Sequence, residues 1–176
     1  MDENEIGKRL EENVAFFSNS GKLGREQCAV DQWLIATNRT NAIVERGGDP
    51  PDFLVAGCPV EVVEVMSPGR KKHEDFKDDL EKFKKGQCWG LHDFGKVAEL
   101  DIVKEEGHKW ILRGIERKIK KYESCKINVS QWTLLVYVTF SWSEKVNWPA
   151  LSMEIKEFSV PFKSIEAIHN RALLGF

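Results

Sequence analysis

The sequence predicts an α/β fold, a mixed central β-sheet flanked by helices, and three observations point to it. Two short strand-like runs, Pro51–Val55 and Val60–Val65, are separated by a tight turn at Gly57-Cys58-Pro59 and read as a hairpin. Segments with apolar residues at helical spacing lie on both sides of that hairpin. A later run, Leu134–Val138, is apolar on both faces, as a central strand must be.

Ile6, Leu10, Val14 and Phe17 recur at helical spacing, which predicts a helix over about 3–18, ended by Ser18-Asn19-Ser20-Gly21. A second helix is expected over 23–38, with Val30, Trp33, Leu34 and Thr37 on one face and Glu26 one turn before Val30. Ala42–Val44 reads as a short strand, and Gly47–Pro51 as a loop leading into the hairpin. Ser67-Pro68-Gly69 breaks the hairpin's second strand, and a highly charged helix is expected over 72–85. Residues 86–96 look irregular, and Ala98, Leu100 and Ile102 give a weak strand signal. Ile111, Ile115, Ile119 and Tyr122 mark a helix over 108–122. Trp132–Trp142 contains the buried strand, and a strand at 158–161 and a short helix at 164–170 complete the chain. The order helix, strand, hairpin, helix, strand describes a sandwich of sheet and covering helices. No repeat or linker interrupts it, so one domain over residues 1–176 is expected.

The chain has 176 residues, 41% hydrophobic and 31% charged, enough for a core of its own. No apolar stretch approaches the ~20 residues that span a membrane, so no membrane role is expected. Met1–Glu5 is acidic and polar, unlike a secretory signal. Cys28, Cys58, Cys88 and Cys125 lie far apart, which argues against structural zinc and a disulfide framework. Reduced thiols in a cytoplasmic protein are the expectation. The formal net charge is −2, so any nucleic-acid contact must come from local basic patches. Two exist: Arg70-Lys71-Lys72-His73, and Arg113, Arg117, Lys118, Lys120 and Lys121 on one helix. Each also reads as an ordinary solvated surface. The spacing of Cys88 and His92 resembles a ligand pair, but no second pair accompanies it. The six tryptophans read as core or interface residues.

The hairpin carries acids where acids are rare. A turn centred on Cys58 sets Asp52 across from Glu64. Two carboxylates side by side on a sheet repel unless a raised pKa, a cation or a divalent metal compensates. Alternatively, one or both sit at exposed strand ends. Glu61 is three residues from Glu64 and so faces the other side of the strand. Only one of the two can share Asp52's face without a bulge at Val62-Val63, and the expected register selects Glu64.

These elements and acids resemble the core of the PD-(D/E)XK nuclease superfamily. That core has a helix carrying a Glu, a strand opening with Pro-Asp, a partner strand carrying Glu-x-Lys, a helix and a buried strand. Glu26 matches the helix Glu, Pro51-Asp52 the Pro-Asp, and Glu64-Val65-Met66 the last slot, with Met66 where the Lys belongs. Asp49-Pro-Pro-Asp-Phe and Glu-Val-Met-Ser-Pro-Gly-Arg-Lys-Lys-His also resemble an uncharacterised bacterial family described as endonucleases, over about residues 10–140.

The resemblance implies a restriction-endonuclease-like fold and a metal-dependent nuclease acting on DNA. Asp52 and Glu64 would hold Mg2+ or Mn2+, with Glu26 in support. Members of the superfamily move the Lys to a neighbouring element. Here Lys118 falls within about 20° of Ile111 on the helical wheel, turned toward the sheet. A lysine whose stem merely covers the core edge is the plainer reading of Lys118. Arg70, Lys71 and Lys72 are further candidates. Loss of the motif Lys also allows an inactive nuclease-fold protein that binds nucleic acid or a protein partner. The −2 charge allows an interaction protein with no nucleic-acid role. A homodimer is left open.

Overall fold

The computed structural model describes residues 3–66, 72–87, 104–139, 146–157, 161–169 and 172–175. The chain gathers into two compact units: Met1–Arg25 with Gly69–Asp101, and Glu26–Pro68 with Ile102–Phe176.

In the first unit, helices α1 (Glu3–Phe17) and α3 (Lys72–Lys84) pair through aromatic residues. The Phe17 and Phe76 rings stack at 5.0 Å, and Phe83 lies against Gly7, where a side chain would collide with it. His73 Nδ1 lies 3.0 Å from the Val14 carbonyl oxygen, and Lys84 pairs with Glu11 at 3.1 Å. The two helices thus carry enough mutual contact to form a body of their own.

The second unit holds the sheet. Its strands are β1 (Val44–Arg46), β2 (Phe53–Val55), β3 (Cys58–Val65), β4 (Thr133–Val138), β5 (Ser164–His169) and β6 (Ala172–Gly175), neighbours in that order. β3, β4 and β5 are mutually parallel, while the β1–β2, β2–β3 and β5–β6 pairs are antiparallel. Helices α4 (Lys104–Ser124) and α5 (Trp148–Glu157) lie in the two parallel crossovers. They cover one sheet face with Ile111, Ile115, Ile119, Tyr122, Leu151 and Ile155. The other face is covered by α2 (Lys22–Ala36) through Ala29, Val30, Trp33 and Leu34. The doubly apolar run of β4 is explained by this sandwich: Leu134, Val136 and Val138 enter the α4 core, and Leu135 the α2 core.

Several expectations change. Ser164–His169 is a strand, not a helix. Ile165 and Ala167 enter the α4 core, Ile168 enters the α2 core, and Glu166 Oε2 accepts a 2.6 Å bond from the Trp33 indole N–H. Period-2 alternation with a partnered acid therefore outweighs local helix propensity. Helix α5 is absent from the sequence-based reading. Strand β1 begins at Val44 rather than ending there. The expected strand at 98–102, most of 86–96 and residues 158–160 lie outside the described residues.

The consequential change is the hairpin turn. Val55 pairs with Cys58, so the turn consists of Ala56 and Gly57 alone. Both have positive φ, 48° and 75°, the pattern of a type I′ hairpin whose twist matches its strands. Cys58 and Pro59 belong to β3. Pro59 faces Leu54 and precedes Val60–Thr133, the first β3–β4 pair, so its missing N–H interrupts no ladder bond there.

Candidate active site

The tighter turn moves the partner of Asp52. Phe53 pairs with Val60, so one step further Asp52 stands across from Glu61, not Glu64. Glu61 shares its strand face with Val63 and Val65, the α4 side. Glu64 alternates with Glu61 onto the opposite face, in register with Tyr137, and its Oε1 accepts a 3.2 Å bond from Thr139 Oγ1. The expected Asp52–Glu64 pair is therefore corrected to Asp52–Glu61. The cause is the two-residue turn, and no bulge is required. If the resemblance to the PD-(D/E)XK pattern holds at this strand, Glu61 would take the acid position and Val63, rather than Met66, the position of the Lys.

Asp52 is 9% exposed, and its Oδ2 accepts a 2.8 Å bond from the Val62 N–H. Burial pushes its carboxyl up to about 6 against that bond's opposing pull. The charges of Glu61 and then Glu26 add to the rise, and Lys118 opposes it. Glu26, on α2, is thus close enough to act electrostatically on Asp52.

Glu61 is 2% exposed, and its Oε1 accepts from Lys118 Nζ in a close ion pair. The Lys118 side chain is 17% exposed. Its position follows from the helix: three residues after Ile115 and four before Tyr122, it lies on the edge of α4's buried stripe. Gly114, one turn earlier, lets α4 approach β3. A Cβ there would meet Val65 Cγ2 at 2.8 Å and Val63 Cγ2 at 3.9 Å. α4 therefore runs along β3 with Gly114 over the two valines and Lys118 over Glu61.

A fifth group was not legible in the sequence, where Tyr122 reads only as core. Its ring packs edge-on against Trp132 and Phe162, and it is 1% exposed. Its hydroxyl and Glu61 Oε2 are both buried, side by side. Burial, then the neighbouring Glu61 carboxylate, push the phenol well above its usual range. No signal short of the hairpin register could have placed Tyr122 beside an acid.

The structure thus brings Asp52, Glu61, Lys118 and Tyr122 together, with Glu26 within electrostatic reach, and sends Glu64 elsewhere. Arg70, Lys71, Cys88 and His92 lie outside the described residues. Among the described residues no group of three or more His, Cys, Asp or Glu side chains is placed to hold a metal, so a cation here would take two carboxylates at most from Asp52 and Glu61. Nor, among them, is any helix long and apolar enough to cross a membrane.

Fold and site together define an α/β sandwich with a buried acid pair and a lysine supplied by the covering helix. The chain belongs to the family described as "Putative endonuclease, protein of unknown function (DUF1780)", whose model matches residues 4–172. It is also similar in fold to a solved protein of unknown function from Pseudomonas aeruginosa strain PAO1, described as of the monooxygenase superfamily. The TM-score is 0.52 at 16% identity, covering 94% of this chain and 78% of that one. No curated protein matches the chain.

Proposed function

We propose that this protein is a metal-dependent nuclease that hydrolyses phosphodiester bonds in DNA, a member in function of the PD-(D/E)XK group it resembles. The observation that carries this reading is the meeting of Asp52 and Glu61 on facing hairpin positions with the Lys118 amine between sheet and helix. The family's description as an endonuclease supports it.

Phosphodiester hydrolysis needs an oriented water, stabilisation of charge building on the phosphate, and help for the leaving oxygen. Asp52 and Glu61 fit Mg2+ or Mn2+, hard cations that accept one or two protein carboxylates and complete their shell with water and phosphate. Glu61 Oε2, buried beside the Tyr122 hydroxyl, is the atom such an ion would meet. The bound ion would supply a water of lowered pKa and shielding of the phosphate. The Val62 N–H holds one Asp52 oxygen and so fixes how that carboxylate presents the other. Lys118 offsets the repulsion between the two acids and would stabilise negative charge on the phosphate as it builds. Glu26 keeps a further negative charge near Asp52, suited to orienting a water.

A second reading is a nuclease-fold protein that binds nucleic acid without cutting it. It is favoured by one observation: Lys118 already engages Glu61, the carboxylate a metal would need. Calorimetric titration with Mn2+ and Mg2+, followed by a plasmid-nicking assay, separates the two. The nuclease reading expects ion binding and nicking, both lost in Asp52→Asn. Absence of both with every divalent ion, alongside retained DNA binding, supports the inactive scaffold.

A further inference from the structure

One turn of α4 away from Lys118, the α4–β3 seam opens into a cleft of about 340 Å³. Its floor is the end of β3 at Glu64–Met66, and its wall is Trp110, Arg113, Gly114 and Arg117 of α4. Residues 110, 113 and 117 fall on one stripe of the helix. Trp110 is half-buried, its indole packed at the margin of the α4 core. Arg113 and Arg117 are exposed and one turn apart, and neither has an ion-pair partner among the described residues. Glu116, the acid between them, pairs instead with Lys120 at 4.0 Å. Met66, 37% exposed, adds apolar surface at the mouth. Glu64 also lines the cleft, and its Oε1 accepts a hydrogen bond from Thr139 Oγ1.

An aromatic plane beside two guanidinium groups is the chemistry that holds an unpaired nucleotide. The base stacks on the ring, and the phosphate takes charge-assisted N–H bonds. A base stacked within a duplex cannot enter such a cleft. We infer that this cleft is a nucleotide subsite for single-stranded nucleic acid. One unpaired base lies on Trp110 and its phosphate on Arg113 and Arg117, with the strand continuing along α4 to the Asp52–Glu61–Lys118 cluster. The subsite deepens the nuclease reading by naming its substrate class, an unpaired strand, and rests on that reading only for what happens at the acids.

The test is fluorescence anisotropy of a labelled oligo-dT, and of a blunt duplex of the same length, with full-length protein in EDTA so that no cleavage occurs. The single strand is expected to bind about tenfold more tightly than the duplex. Trp110→Ala should abolish that preference. Because Trp110 also touches the core, the exposed pair Arg113→Ala/Arg117→Ala provides an independent arm. It should weaken oligo-dT binding and lower the slope of log affinity against log salt by about 0.7, the value for one lost phosphate contact on a single strand. Equal or tighter duplex binding by the wild type would overturn the inference, as would an arginine variant that binds oligo-dT like wild type. Oligo-dT binding of this pattern in a protein that never nicks DNA sustains the subsite and defeats the nuclease reading. Nicking that is lost in Asp52→Asn, with oligo-dT binding indifferent to both cleft variants, does the reverse.

Discussion

Glu61 and Glu64 lie three residues apart on one strand and have opposite fates. Glu61 is buried against α4, ion-paired with Lys118 and facing Asp52. Glu64 is half-buried on the other face, hydrogen-bonded to Thr139. Nothing in the local sequence Val60-Glu-Val-Val-Glu-Val distinguishes them. A one-residue change in register exchanges the faces of every side chain on a strand, so which acid faces Asp52 is decided several residues away, by the turn. Ala56 and Gly57, not the acids, select Glu61.

The comparison breaks most visibly in stability. Lys118→Ala leaves Glu61 charged, buried and unpaired, and should cost about 3–5 kcal/mol. Glu64→Ala removes a half-buried acid and should cost about 1 kcal/mol. Urea denaturation of both variants measures the gap, and equal losses would mean that the two acids are not differently buried.

Acid titration sharpens the same contrast. The Asp52 carboxyl is raised to about 6 from an ordinary 3.8, so the metal-free folded protein holds that proton more tightly than the unfolded chain. Its contribution to stability is full below pH ~4 and is lost as pH climbs through about 6, on the order of 3 kcal/mol in all. Asp52→Asn should lack this decline. The difference in stability between wild type and variant should therefore change across pH 4–7, and parallel curves would contradict the buried Asp52–Glu61 pairing.

Smaller effects follow from the two glycines that build the site. Gly114→Ala places a methyl group 2.8 Å from Val65 Cγ2, on a stiff β-branched side chain. It should cost about 1–3 kcal/mol and loosen α4 over Glu61. Gly57→Ala puts a side chain at φ 75° and should cost about 1 kcal/mol, seen as a lowered denaturation midpoint with unchanged m-value.

Much of the fold is written in residue patterns. The stripe Ile111, Ile115, Ile119, Tyr122 and the doubly apolar Leu134–Val138 each specify one element, because burial imposes a period. Strand β5 is hidden in the sequence by Glu166, whose place in the sheet makes sense only with the Trp33 indole from α2 beside it. The hairpin was legible as a hairpin but not in register. Gly57-Cys58-Pro59 carries ordinary turn residues, whereas Ala56 at φ 48° is an uncommon choice that no propensity suggests. The angular position of Lys118 on its helix pointed toward the sheet. Its acid, Glu61, required the register.

The most direct test of Glu61 as the site acid is single-turnover nicking of plasmid DNA with Mn2+ by Glu61→Gln and Glu64→Gln side by side, at saturating protein. Glu61→Gln should slow the chemical step by about 100-fold or more, while Glu64→Gln stays within about threefold of wild type. A Glu64→Gln protein that no longer cuts, beside a Glu61→Gln protein that does, would contradict the account.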